Sequence, residues 1–94
     1  MIPEHLASTH RMLQSAYPAG LPEADYFALL VLLSEQMCEE NLAAVVALAF
    51  SREQLVVGND AAKAVTTHEP NAKDLDRVRS RLRLAGYDDW IHED

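Results

Sequence analysis

One cysteine, three glycines and four prolines among 94 residues leave little material for several kinds of protein. Cys38 has no partner for an internal disulfide and no CxxC mate for zinc or redox chemistry, which points to a reducing, cytoplasmic setting. Strand-type sequence is nearly absent too: only Leu55-Val56-Val57 is rich in β-branched residues, and one short strand cannot make a sheet. The longest apolar run, Leu42 to Phe50, is too short to span a bilayer. The opening Met1-Ile2-Pro3-Glu4-His5 lacks the basic and apolar regions of a signal peptide, so a chain without a membrane anchor is expected. Basic residues are outnumbered, with 8 Lys and Arg against 15 Asp and Glu and a net charge of −7. That balance repels phosphate backbones at long range and disfavours generic nucleic-acid binding.

What is present reads as one helical domain spanning 1–94, since a chain of this length has room for a single hydrophobic core. Hydrophobic residues make up 49% and charged residues 24%, an ordinary globular mixture that argues against disorder. The glycines and prolines all read as punctuation between apolar-periodic stretches, which predicts an all-α bundle of about five helices with short connections. The first runs from Pro3 to just before Pro18, with Ile2, Leu6, His10, Leu13 and Tyr17 on its inner stripe. The second follows Pro22 and is so apolar that only a strip through Asp25, Ala28 and Glu35 is left to face water. The third, from about Glu39 to Phe50, turns Leu42, Val45, Val46 and Ala49 inward and carries Ala43, Ala44 and Ala47 behind, where small side chains permit close helix approach. Residues 51–58 read as an extended connector, followed by a short helix from Asn59 or Asp60 that ends before His68-Glu69-Pro70. Asn71 with Asp74 resembles a capping box opening the last helix, whose core stripe is Leu75, Val78, Leu82 and Ala85 and whose C-cap is Gly86. The acidic tail 87–94 holds Tyr87, Trp90 and Ile91, apolar enough for partial order by folding back onto the bundle.

No group of residues carries a catalytic or metal-binding signature. His5 and His10 are five apart, hence on different helix faces, and neither starts an HExxH or HxxxH pattern. Glu39 and Glu40 are adjacent and cannot share one helix face as a catalytic acid pair, and they oppose thiolate formation at Cys38, which reads as structural. Phosphate loop, nucleophile elbow and kinase signatures are absent. No catalytic residue, cofactor or metal is therefore assigned.

The distribution of charge is more informative. Residues 71–86 hold five bases against two acids, whereas 23–40 hold five acids and no base. The plainest interpretation is a solvated helix face with Asp74–Arg77 and Asp76–Arg79 pairs, its arginines neutralising acids of the same molecule and holding the last helix against the second and third. The sharper one is an interaction surface: Leu84 projects near the stripe Lys73, Arg77 and Arg81, so that an apolar contact sits within a basic field suited to an acidic protein surface or to a second copy of the chain. The unit 60–85 also has lengths compatible with a helix-turn-helix placing Lys73, Arg77 and Arg81 toward DNA. Against it stand a turn without glycine, Asp74 and Asp76 facing the phosphates, and the lack of a basic arm. The leading expectation is a non-catalytic protein-interaction module. DNA binding and a small-molecule or enzymatic role invisible in the sequence are the alternatives. Steep salt dependence would mark DNA binding, while an interface built around an apolar patch would weaken only modestly.

Five stretches carry a family likeness across nearly the whole chain: Met1-Ile2-Pro3-Glu4-His5-Leu6, Asn41-Leu42-Ala43-Ala44-Val45-Val46, Asp60-Ala61-Ala62-Lys63-Ala64, Thr67-His68-Glu69-Pro70, and Asp74-Leu75-Asp76-Arg77-Val78-Arg79-Ser80-Arg81-Leu82. In these the chain resembles a mycobacterial and related actinobacterial family of domains of unknown function, small cytoplasmic helical bundles of about a hundred residues. The family pattern places tryptophan after the glycine that ends the last helix, where this chain has Tyr87 after Gly86. The resemblance implies a five-helix bundle and brings no assigned activity and no catalytic or binding residues.

Overall fold

The computed structural model describes residues 2–67 and 69–92; Met1, His68 and positions 93 and 94 lie outside them. A 3-10 turn, Glu4–Leu6, leads into α1 (Ala7–Ala16), followed by α2 (Glu23–Ser34), α3 (Glu39–Phe50), α4 (Gln54–Thr66), α5 (Ala72–Leu84) and a short α6 (Tyr87–Ile91). No strand occurs among the described residues. The all-α class and the five longer helices are those expected, and α6 is added by the tail.

Each boundary has a local cause. Pro18 and Pro22 bracket the first interhelical loop, because neither can donate a ladder hydrogen bond and each restricts the residue before it. At the start of α5 the Asn71 side chain accepts a hydrogen bond from the Asp74 amide at 2.8 Å, satisfying one of the orphan donors of the first turn. The Asp74 carboxylate does not complete a capping box; it pairs with Arg77 at 2.8 Å. Gly86 ends α5 at φ +96°, a left-handed conformation that glycine adopts without steric cost. α3 ends the same way on a costlier residue, Ser51 at φ +54°.

The core is continuous. α2 contributes Tyr26, Leu29, Leu30, Leu32 and Leu33, lying against both α4 and α5, while α3 contributes Leu42, Val45 and Val46 between α1 and α4. From α5 come Val78 and Leu82, and Leu75 and Ala85 lie half-buried against the core. Burial at about 25 cal/mol per Å² of apolar surface is the main force holding these helices together.

Four expectations change. The stripe of α1 is rotated: Leu6, Leu13 and Tyr17 are buried as expected, but Thr9, Met12 and Ala16 join them while Ile2 is exposed and His10 only half-buried. The opening turn winds at about three residues per turn rather than 3.6, which shifts the phase of everything after it. The proposed wet strip of α2 is also wrong for two of its three residues, since Asp25 and Ala28 are buried and only Glu35 is exposed. α5 lies across that side of α2 and supplies a base for the acid. Cys38, read as structural, is exposed at the N-cap of α3.

The largest change concerns 51–58, expected as coil. α4 begins at Gln54 and runs through Leu55, Val56, Val57 and Gly58 without a break. Val57, Ala61 and Ala64 are spaced four and three residues apart and all three are buried, so tertiary burial outweighs the unfavourable helix propensity of valine and glycine. Leu55 and Val56 point outward, 71% and 47% exposed. Replacing Val57 by Ala should therefore lower stability by about 2 kcal/mol, while Leu55→Ala should change it by less than about 0.5 kcal/mol. Urea denaturation of both variants checks this, and equal effects would restore the extended connector.

Candidate interaction surface

The outer side of α5 begins with a constraint from within. Asp25, on the first turn of α2, is 3% exposed. A buried carboxylate is tolerable only when paired and hydrogen-bonded, and here both oxygens are engaged. Oδ1 accepts from Arg77 Nε at 2.8 Å and lies 2.7 Å from Arg77 Nη2, while Oδ2 accepts from the Tyr17 hydroxyl at 3.1 Å. Arg77 also donates through Nη2 to the Ala24 carbonyl at 3.1 Å, and its Nη1 lies 2.8 Å from Asp74. Its guanidinium thus spans the first turns of α2 and α5. The hydrogen bond to Asp25, reinforced by the one to Asp74, raises its already high pKa further, so the charge on this group is permanent.

Arg81 lies one turn further along and is held to α1. Its Nε donates to the Ala16 carbonyl at 2.7 Å, one of the acceptors left open at the end of that helix, and its guanidinium carbon sits 4.5 Å from the centre of the Tyr17 ring. The two arginines therefore join α5 to the α1–α2 corner; the plain reading of the charge pattern anticipated a structural role, but against the second and third helices, and α1 takes the place of the third. The expected pairs Asp74–Arg77 and Asp76–Arg79 both form, the second at 3.2 Å.

Beside this junction is a groove of about 560 Å³ lined by Ser15, Ala16, Pro18, Arg77, Ser80, Arg81, Leu84 and Ala85. Three of the four residues singled out in the sequence, Arg77, Arg81 and Leu84, thus share one concavity. Lys73, exposed near the start of α5, does not line it. Leu84 is 92% exposed, far more than any core-stripe position of its helix. Arg83, beside it, reaches Asp88 of α6 at 3.6 Å. The helix-turn-helix unit has a different outline from the one expected, because α4 starts six residues before position 60 and packs, like α5, on α2.

A parallel clasp lies on the other side of α2. Tyr26 donates to Asp60 of α4 at 2.8 Å, and Arg52, paired with Glu23 at 2.9 Å, covers its ring at 4.0 Å. α6 is held by a third: Tyr87 is buried, and Trp90 Nε1 donates to Thr9 Oγ1 of α1 at 2.9 Å. Trp90 also walls a cleft of about 390 Å³ with His5, Gln36 and Asn41. Sequence reasoning missed Asp25 and Tyr17. The available signal was an acid, Asp25, close to the apolar run of α2, in a chain whose bases gather on a late helix.

Both hydroxyl clasps have a consequence in alkali. Burial, then the neighbouring Asp25 carboxylate, raises the Tyr17 phenol well above its ordinary value, and burial with the hydrogen bond to Asp60 pushes Tyr26 up to about 12. The folded protein therefore holds these protons more tightly than the unfolded chain, whose phenols titrate near pH ~10. The stabilisation is complete below about pH 10 and is lost as pH rises through the folded values. Denaturation midpoints should be level up to about pH 9.5 and fall above it, with a shallower fall for Tyr26→Phe. Phenolate absorbance from all the tyrosines near pH ~10 in the folded state would contradict this.

No curated protein and no solved structure is significantly similar to this chain. A family model described as protein of unknown function, DUF3349, matches residues 4–90, and the chain belongs to that family.

Proposed function

We propose that this domain is a non-catalytic protein-interaction module whose contact surface is the α1–α5 groove, with Leu84 on its lip, Arg77 in its wall, and Lys73 and Arg81 supplying a positive field. The observation that carries it is Leu84: a leucine 92% exposed beside a groove of about 560 Å³ whose charged lining is all arginine. An apolar anchor inside a polar rim is the usual anatomy of an interface, and a local positive field on a chain of net charge −7 favours an acidic partner surface. Pinning the arginines supports the same reading, because guanidinium groups already ordered lose little conformational freedom on binding.

Because Arg77 and Arg81 also hold the bundle together, reversing their charges would confound binding with stability. Leu84→Glu and Lys73→Glu avoid this, since both positions are exposed and surface changes of this kind usually alter stability by less than about 0.5 kcal/mol. The expected result is an unchanged melting curve and loss of the proteins recovered with the parent chain from its native cell, identified by mass spectrometry. Retention of every such protein by the double variant would dismiss the surface.

A further inference from the structure

A second concavity lies on α3 and α4, away from the arginines, and its floor is a glycine that the fold does not require. Gly58 sits within α4, where glycine costs about 1 kcal/mol relative to alanine. Its backbone is not left-handed, so no special φ demands it. Close approach of α3 does not demand it either. A methyl group built on Gly58 would stand 3.8 Å from the Ala43 Cβ and 3.8 Å from Glu39 Oε1, both ordinary van der Waals distances. Gly58 lines a cleft of about 410 Å³ together with Ala43 of α3 and Leu55 of α4, and Glu39 and Glu40, expected on different faces of their helix, both border it.

We infer that this cleft is a docking site for a basic amphipathic helix of a partner protein, which seats an aliphatic side chain over Gly58 and Ala43 and sets lysine or arginine against Glu39 and Glu40. A cleft between two neighbouring helices is the kind of surface that helix-in-groove recognition uses. Leu55, 71% exposed on one ridge, supplies apolar contact that the monomer leaves in water. The sign of the partner follows from the rim. Both charged residues lining the cleft are acids, and the chain as a whole carries −7, so a basic helix is attracted at long range and an acidic one repelled. This site shares no residue with the α1–α5 groove and stands whether or not that groove binds anything.

The test uses the full chain, isotopically labelled, with two synthetic helical peptides of identical leucine pattern, one flanked by lysines and one by glutamates. The lysine peptide should shift the amides of Ala43, Leu55, Gly58 and Asn59, and the glutamate peptide should not. Gly58→Ala, which fits without displacing its neighbours, should melt at a higher temperature and bind the lysine peptide at least about fivefold more weakly, because the added methyl fills the notch. Equal binding of the two peptides, absence of binding at millimolar concentration, shifts centred elsewhere or unchanged affinity in Gly58→Ala would each overturn the proposal. A lower melting temperature for Gly58→Ala would overturn it too, by showing that helix packing requires the glycine. Concentration-dependent shifts at the same amides without peptide would make a second copy the occupant, and a basic partner would be excluded.

Discussion

A carboxylate inside an apolar helix has to be neutralised, and the way Asp25 is neutralised sets the arrangement of three helices. The acid belongs to α2, the hydroxyl that binds one oxygen follows α1, and the guanidinium that binds the other comes from α5, more than fifty residues later. These groups are specific in a way that burial is not. Leu29, Leu30 or Val78 would be content in many registers, whereas α5 displaced by one residue would leave Asp25 without its base. Arg81 extends the same restraint to the end of α1. Once the α1–α2 corner and α5 are fixed, the groove between α1 and α5 is fixed as well, and Leu84, two residues beyond the core contact of Leu82, is left exposed at its edge.

How far the fold could be read from the sequence depended on how local its causes were. Proline placement, the Asn71 cap and Gly86 act within a turn of themselves, and the helices they bound came out close to expectation. α4 did not, because the feature that makes 54–58 helical is the burial of Val57 against elements that local sequence does not show. Gly58 compounded the error, since a glycine within a helix looks the same in sequence as one that ends it. The phase of α1 failed for a related reason: a single 3-10 turn changes which residues share a face.

For the candidate surface the division runs between composition and contact. The concentration of bases on α5 and the outward leucine were plain from spacing alone, and the structure gathers Arg77, Arg81 and Leu84 around one groove. That Arg77 also ties α5 to α2 depends on Asp25, which its helical position puts on the wet side although α5 covers it, and the tie of Arg81 to α1 uses a backbone carbonyl that no side-chain pattern shows. The cleft at Gly58 was hidden by the misread connector. The assembled molecule has an arginine-lined groove on one face and an acid-rimmed notch on another, a polarity that a net charge of −7 conceals.

The dependence of the fold on the Asp25–Arg77 contact is tested most directly by a double-mutant cycle. Melting temperatures would be compared for the parent chain, Asp25→Asn, Arg77→Gln and the two combined. If the contact organises the bundle, each single variant melts well below the parent, and the double variant lies close to the less stable single rather than at the sum of the two losses. Additive losses, or single variants that melt with the parent, would contradict the account.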